Sequence, residues 1–278
     1  MSNDARAILR RVGLHPKKGF GQNFLVSPHV VEAIAAACVP DAERGTANVI
    51  ELGAGLGVLT SALAPRAARV VAVERDRDLV PILRDELASH ENVTIVEGDA
   101  QAIDPVALLP EGPRVLAGNL PYHITGRLLE QAVIHADALD RVVFMVQLEV
   151  AERLAAAPGN KIYGGLTVFV NAAFRVRKLF DVSPGSFHPP PEVTSAVVEL
   201  VPVRPRITLE TETFRALVKG AFGARRKTLR NAWSRVADPD RIRAAAEASG
   251  ISLDARGETL GVEAFALMAR NLDASAPI

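Results

Sequence analysis

Three alternating glycines, in Glu51-Leu-Gly-Ala-Gly-Leu-Gly57, stand between an apolar run that reads as a strand (Asn48–Leu52) and a helical pattern over Leu56–Ala64. Glycines at such a turn let the backbone reverse sharply and approach a ligand closely. The alternation continues down the chain. Arg69–Val73 reads as a strand and Leu79–Ser89 as a helix. Val93–Val96 and Arg114–Ala117 read as strands, Gly126–His135 as a helix and Arg141–Gln147 as a strand. Strands alternating with helices predict βαβ units, a mostly parallel sheet and right-handed crossovers. Leu166–Val176 and Ser195–Val201 are β-rich with no clear helix between them, which predicts an antiparallel hairpin at the sheet edge. Past a linker at Pro202–Pro205 the pattern turns helical, over Glu212–Phe222, Thr228–Val236, Pro239–Ser249 and Val262–Leu272. Gly250 falls where a C-terminal helix cap belongs. The expected division is a sheet domain over 1–203 and a small all-helical domain over 204–278.

Composition narrows the function classes. The 278 residues are 49% hydrophobic and 23% charged, as in a globular protein with an ample core. No apolar run reaches the roughly 20 residues that a membrane span needs. The start is basic and amphipathic, without the apolar stretch of a signal peptide. Cys38 is the only cysteine, so no intrachain disulfide is possible and no metal site is expected. A cytoplasmic protein is the expectation. The formal net charge is zero, whereas nucleic-acid-binding domains are usually basic. Distribution counts for more than the sum: Arg225, Arg226, Lys227, Arg230 and Arg235 lie together without an acid, while acids gather in 74–91.

Two acids extend the glycine signal. Glu74 ends the second strand, 21 residues after Gly53, where an acid can accept from both hydroxyls of a ribose. Asp99 follows the third strand and can accept from an adenine amino group. A dinucleotide fingerprint would put its third glycine at position 58, but Val58 is there and Gly57 precedes it. The Gly-x-Gly-x-Gly spacing, with Gly53 and Gly55 at the turn, and Gly98-Asp-Ala100 after strand three resemble class I methyltransferases more than dehydrogenases.

Asn119-Leu-Pro-Tyr122 follows the fourth strand and opens onto the same crevice. An adenine N6 is a poor nucleophile because its lone pair is delocalised into the ring. Acceptors at the Asn119 side chain and the Leu120 carbonyl would draw that nitrogen toward tetrahedral geometry. Pro121 restricts Leu120 to extended backbone, and Tyr122 offers a face on which an extruded base can stack. Phe187, in a proline-stiffened loop, either covers the other face of the base or packs the domain junction. His188 reads as a solvated or structural histidine.

Taken together, these residues resemble the ribosomal RNA adenine N6,N6-dimethyltransferase family, and within it the bacterial small-subunit, kasugamycin-sensitivity branch. The likeness runs through Lys17-Lys-Gly-Phe-Gly-Gln-Asn-Phe-Leu25, Glu51–Gly57, Glu74, Gly98–Ala100 and Asn119–Tyr122. It continues through Lys161–Gly164, Ser186–Ser195 and Phe222–Trp233, nearly the whole chain. Gly19-Phe20 departs from the Ser-Leu common there. The resemblance implies a Rossmann-like methyltransferase sheet and S-adenosylmethionine as methyl donor. It implies that Asn23 and Leu25 close over the cofactor while Gly53, Glu74, Asp99 and Asn119 complete its pocket. It further implies, as substrate, two adjacent adenosines in the hairpin loop near the 3′ end of small-subunit (16S) ribosomal RNA in an assembling 30S particle. Nothing demands more than a monomer. The basic cluster, with Lys17 and Lys18, is suited to neutralising RNA phosphates, the other reading being a solvated helix face. Three rivals remain: a large-subunit (23S) resistance-type methyltransferase, a nicotinamide-dependent oxidoreductase and a noncatalytic ribosome-assembly factor.

Overall fold

The computed structural model describes residues 5–223 and 226–274. In chain order the elements are α1 (Ala5–Val12), β1 (Phe24–Leu25), α2 (Pro28–Cys38), β2 (Asn48–Leu52), α3 (Val58–Leu63), β3 (Arg69–Glu74) and α4 (Val80–Leu87). Next come β4 (Val93–Glu97), α5 (Pro105–Leu108), β5 (Arg114–Asn119), α6 (Thr125–Ile134), β6 (Arg141–Gln147) and α7 (Leu148–Leu154). Then follow α8 (Gly165–Ala173), β7 (Phe174–Val182), β8 (Phe187–His188) and β9 (Ser195–Pro202). Last are α9 (Glu212–Gly223), α10 (Leu229–Ala232), α11 (Pro239–Ala248) and α12 (Val262–Ala274).

Seven strands form one sheet in the order β4-β3-β2-β5-β6-β9-β7. β4, β3, β2, β5 and β6 are parallel, and β9 runs antiparallel to β6. The five residues of β2 are all buried, as a central parallel strand covered on both faces requires. The chain leaves β2 for β3 on one side and returns to β5 on the other. That reversal opens a crevice beyond the carboxyl ends of β2 and β5, where open α/β sheets bind ligands. Val49, Val70, Val115, Val143 and Val197 carry a core through the sheet to Ile34 and Leu63 of α2 and α3.

The chain divides into two compact units, residues 1–151 with 177–202, and residues 152–176 with 203–278. The second unit joins residues 152–176 to the helical segment after Pro202, whereas the sequence pattern expected 152–176 with the sheet domain. One expected strand is also corrected. Leu166–Ala173 is not β but most of α8. Its run of β-branched and aromatic residues has high strand propensity, yet Val168 and Ala172 repeat at helical spacing and pack with Phe214 and Leu217. Tertiary burial overrides local propensity there. Thr167 starts the helix: its hydroxyl accepts from the Gly164 N–H (3.2 Å) and donates to the Arg153 carbonyl (2.7 Å). The centre of this unit is Trp233, fully buried, whose indole N–H donates to the Leu217 carbonyl at 2.8 Å. α11 ends as expected, with Gly250 at φ +66° and the N–H of Ile251 bonded to the Ala246 carbonyl.

α2, α5 and α7 have no counterpart in the sequence reading, nor has the short antiparallel ladder of β1 with β8, which pairs Phe24 with His188 and Leu25 with Phe187. That ladder ties the N-terminal Gly-Gln-Asn-Phe-Leu segment to the proline-rich loop. Among the described residues, no helix is long and apolar enough to cross a membrane.

Candidate active site

A cavity of about 220 Å³ opens at the ends of β2, β3, β4 and β5, and its wall includes Asn23, Gly53, Glu74, Asp99, Asn119 and Tyr122. The sequence reading placed Gly53, Glu74, Asp99 and Asn119 at consecutive strand ends, and the fold brings them together with Asn23. All three glycines of the loop have positive φ, +73°, +59° and +76°, but they act differently. A side chain on Gly57 would strike Leu83 at 2.8 Å, so this glycine lets α4 pack against the start of α3. One on Gly55 would meet the Phe24 ring at 3.1 Å. At Gly53 a Cβ would meet nothing within 4 Å; this is the glycine that lines the cavity and leaves room for a ligand. Gly55, expected to touch a cofactor, instead serves through its N–H, which donates to Glu74 Oε2 at 2.8 Å.

Glu74 is buried, and its other oxygen accepts from the backbone N–H groups of Arg75 (2.8 Å) and Asp76 (2.7 Å). Three of a carboxylate's roughly four acceptor positions are therefore filled by backbone. The remaining one, on Oε2, is available to a ribose hydroxyl; engaging the second hydroxyl requires sharing a backbone bond. Asp99 caps the turn after β4 by accepting from the Gln101 N–H at 3.0 Å, and lies 3.3 Å from the guanidinium of Arg75.

Asn119 ends β5, and its amide nitrogen donates to the Asn23 carbonyl at 2.8 Å. A carbonyl partner demands a donor, so this bond fixes which way the carboxamide is turned and leaves its oxygen as an acceptor for the cavity. Pro121 sits at φ −58°, ψ 125°, and its carbonyl is taken by the Ile124 N–H (3.1 Å) and the Thr125 hydroxyl (3.3 Å). Tyr122 is half-buried; its hydroxyl shares a 2.6 Å hydrogen bond with Ser195, and burial, opposed by that bond, raises its pKa.

Phe187 is not brought to the cavity. It is 1% exposed, packed in the sheet core with Leu25, Val182 and Val197, because its pairing with Leu25 turns both side chains inward. In this conformation neither face is open to a base. Leu25, 4% exposed, likewise lines the core side of the glycine loop. The proline-rich loop contributes through Ser195 instead.

Several site residues were missed by the sequence reading. Asp76 is buried and accepts from Gln22 Nε2 at 2.8 Å and Lys17 Nζ at 2.6 Å, fastening the N-terminal segment across the cavity wall. Burial opposes its ionisation, but the bonds from Lys17, the Asp78 N–H and Gln22 outweigh burial and hold it below the usual carboxylate range. Lys17, expected to meet RNA, is thus committed to Asp76 and Asp78, which raise its pKa. Gly118 could have been noticed as a glycine inside a strand; any side chain there would meet the Leu52 carbonyl oxygen at 2.7 Å. Glu51, in β2, is buried under the glycine loop with Oε2 accepting from Thr60 at 2.5 Å. Burial pushes its pKa up to about 8, with the Thr60 bond opposing and Glu74 adding to the rise.

In the helical unit Arg226, Lys227 and Arg230 are exposed, with Arg230 3.2 Å from Asp254. Arg225 and the side chain of Lys18 lie outside the described residues. Among the described residues, no group of three or more His, Cys, Asp or Glu side chains is placed to hold a metal ion.

A sheet of this strand order, with a glycine loop and acids at successive strand ends, defines a Rossmann-like class I methyltransferase. A family model described as ribosomal RNA adenine dimethylase matches residues 13–274. A ribosomal RNA small subunit methyltransferase A from Anaeromyxobacter sp. (strain K) is 44% identical over 280 residues, covering 96% of this chain and 97% of its own. Its counterpart from Magnetococcus marinus is 44% identical, with 98% of each chain covered. A crystal structure of a dimethyladenosine transferase from Plasmodium falciparum shares the fold, with a TM-score of 0.73 and 24% identity over 88% of this chain and 95% of that one. The 23S rRNA methyltransferase ErmE matches with a TM-score of 0.67 and 26% identity over 90% of this chain and 100% of its own. The chain belongs to the ribosomal RNA adenine dimethylase family.

Proposed function

We propose that this protein transfers methyl groups from S-adenosylmethionine to N6 of two adjacent adenosines in the 3′-terminal hairpin loop of small-subunit ribosomal RNA. The product is N6,N6-dimethyladenosine, formed on an assembling 30S particle by a cytoplasmic monomer. The observation that carries the chemistry is Asn119, whose amide is turned by the Asn23 carbonyl so that its oxygen is left for the cavity. The small-subunit relatives at 44% identity support the choice of RNA.

The cofactor cradle fits the group. Gly53 leaves open space at positive φ, Glu74 keeps an acceptor position for a ribose hydroxyl, and Asp99 stands at the next strand end for an adenine amino group. When bound, S-adenosylmethionine supplies an electrophilic methyl on a sulfonium. The Asn119 oxygen and the Leu120 carbonyl accept from the target N6–H bonds and localise the nitrogen lone pair. Tyr122, its hydroxyl held by Ser195, presents a ring on which the extruded base stacks, worth roughly 1–3 kcal/mol per base. An in-line transfer would break the S–CH3 bond as the N–CH3 bond forms, leaving S-adenosylhomocysteine, and the methylated nitrogen would release its proton to water. No strong base is required, so positioning supplies most of the acceleration. In the helical unit, exposed Arg226, Lys227 and Arg230 contact RNA phosphates and help dock the enzyme.

The test is transfer of radiolabelled methyl to unmethylated small subunits, with large subunits and free RNA alongside and products resolved as nucleosides. Dimethyladenosine in small-subunit RNA alone is the expected result. Label in large-subunit RNA would reassign the substrate to the resistance type. Cofactor binding without label anywhere would leave a noncatalytic assembly factor.

A further inference from the structure

The segment from Lys17 to Asn23 runs between two strand ends. At its start Lys17 bonds to Asp76 and Asp78, just past the end of β3. At its close the Asn23 carbonyl accepts from Asn119, the last residue of β5. Between them Gly21, at φ +63°, lies so close to Pro121 and His123 that a side chain there would meet the imidazole at 3.2 Å. Phe20 stands on the β3 side of this crossing. It closes a single tight turn over Lys18–Phe20, with its N–H bonded to the Lys17 carbonyl at 3.1 Å. The Lys17 ammonium sits over the Phe20 ring, 5.4 Å from its centre. Because Asp76 and Asp78 hold that ammonium, the ring is oriented from the sheet. Yet Phe20 is 39% exposed, and it lines the methyl-transfer cavity. An aromatic ring held in the wall of a cavity with its surface unburied is placed to receive a flat ligand.

We infer that the Phe20 ring stacks on the adenine of bound S-adenosylmethionine. Glu74 and Asp99, the acceptors for a ribose hydroxyl and an adenine amino group, stand at the ends of β3 and β4, the side on which the ring is held. Tyr122, the aromatic left to the target base, follows β5, and β2 lies between β5 and β3. Leu79 and Ala100, just beyond β3 and β4, add apolar wall suited to a purine. A ring already oriented by Lys17 loses little freedom on binding, so its contact is realised as affinity. The inference rests on the reading of the cavity as a cofactor site.

The experiment is titration calorimetry of wild type, F20A, F20L and F20W with two ligands. One is S-adenosylhomocysteine; the other is 5′-methylthioadenosine, which keeps the adenosine and lacks the amino-acid part. Phe20 is exposed, so the substitutions spare folding, and matched melting temperatures check this. Stacking on an aromatic is worth a factor of roughly 5–150 per base, so F20A should weaken both ligands about tenfold or more, and by the same factor. F20L, which keeps apolar area without a π face, should lose less, and F20W should keep the affinity. Trp233 is the only native tryptophan and is buried in the helical unit, so the emission of F20W reports on the cavity. Both adenosine ligands should quench it, and methionine should not. KM for small subunits at saturating cofactor should stay at its wild-type value in F20A. Full affinity of F20A for both ligands overturns the inference. So does a raised KM for the particle with cofactor affinity intact, which would turn the ring toward the RNA, and so does F20W emission indifferent to 5′-methylthioadenosine. The underlying reading fails separately: wild type that binds neither adenosine ligand sinks the cofactor site itself, before any variant is compared.

Discussion

Asp76 touches no part of the proposed substrate, yet its replacement should weaken cofactor binding. It anchors the segment that delivers the Asn23 carbonyl to Asn119. The Gln22–Asp76 bond is 2.8 Å with a buried charged acceptor, and bonds to charged groups contribute about 1.5–3 kcal/mol. The Lys17 contribution is smaller. Its side chain is part exposed, so solvent screens the pair, and it keeps Asp78 as a second partner. D76A should therefore shift closure of the segment by about 2–3 kcal/mol, roughly 30–150-fold at 1.4 kcal/mol per decade. Apparent affinity falls with the closed fraction. Titration calorimetry with S-adenosylhomocysteine should show weakening of about tenfold or more, bounded by that range. D76N, which keeps an acceptor for Gln22, should recover part of it, and K17A should lose under about threefold. Because the pKa of Asp76 is depressed, its contribution is complete above about pH 4 and is lost only as pH falls through its lowered value. If D76A bound as tightly as wild type while N119A still impaired turnover, the proposed relay from Asp76 to Asn119 would be wrong.

Three further outcomes are expected. N119A should lower kcat by about 10²–10³-fold, the scale of losing one preorganised polar group, and N119D should fail too because it sets an acceptor against the Asn23 carbonyl; single-turnover methylation with a matched melting temperature checks both. Glu51 folds with its proton retained up to about pH 8 and releases it near 4.3 when unfolded, so the protein loses stability as pH rises between those values. The melting temperature of E51Q relative to wild type should accordingly climb from pH 5 to pH 8.5, and a pH-independent difference would count against a buried neutral carboxyl. A Cβ on Gly257 would meet the Ala221 side chain at 2.7 Å and its carbonyl oxygen at 3.1 Å, so G257A should destabilise the helical unit by about 1–3 kcal/mol in denaturant unfolding, without altering cofactor affinity.

The sheet was legible because buried parallel strands write themselves as continuous apolar runs, and β2, β3, β5 and β6 all do so. α8 was misread because Leu-Thr-Val-Phe-Val carries strand propensity, while the partners that make it helical, Phe214 and Leu217, lie some 45 residues further on. Its membership in the helical unit is a tertiary fact of the same kind. α2 went unread although Pro28 stands at its first turn, because its short run of alanines and β-branched residues carries little polar contrast.

The cavity shows the same division at the level of single side chains. Glu74, Asp99 and Asn119 were readable because strand ends in a doubly wound sheet converge by topology, so position along the chain specifies position in space. Phe187 and Ser195 belong to one loop, and sequence had no means of ranking them. What decides is the two-residue pairing of β1 with β8, which turns Phe187 into the core beside Leu25 and leaves Ser195 to hold Tyr122. Lys17 and Asp76 are separated by 59 residues, and each alone reads as a solvated charge. Their ion pair converts an apparent RNA contact into a fastener. The formal charge of zero counts the cations that hold the fold, Lys17 and Arg11, together with the acids Asp76 and Glu86 that pair with them.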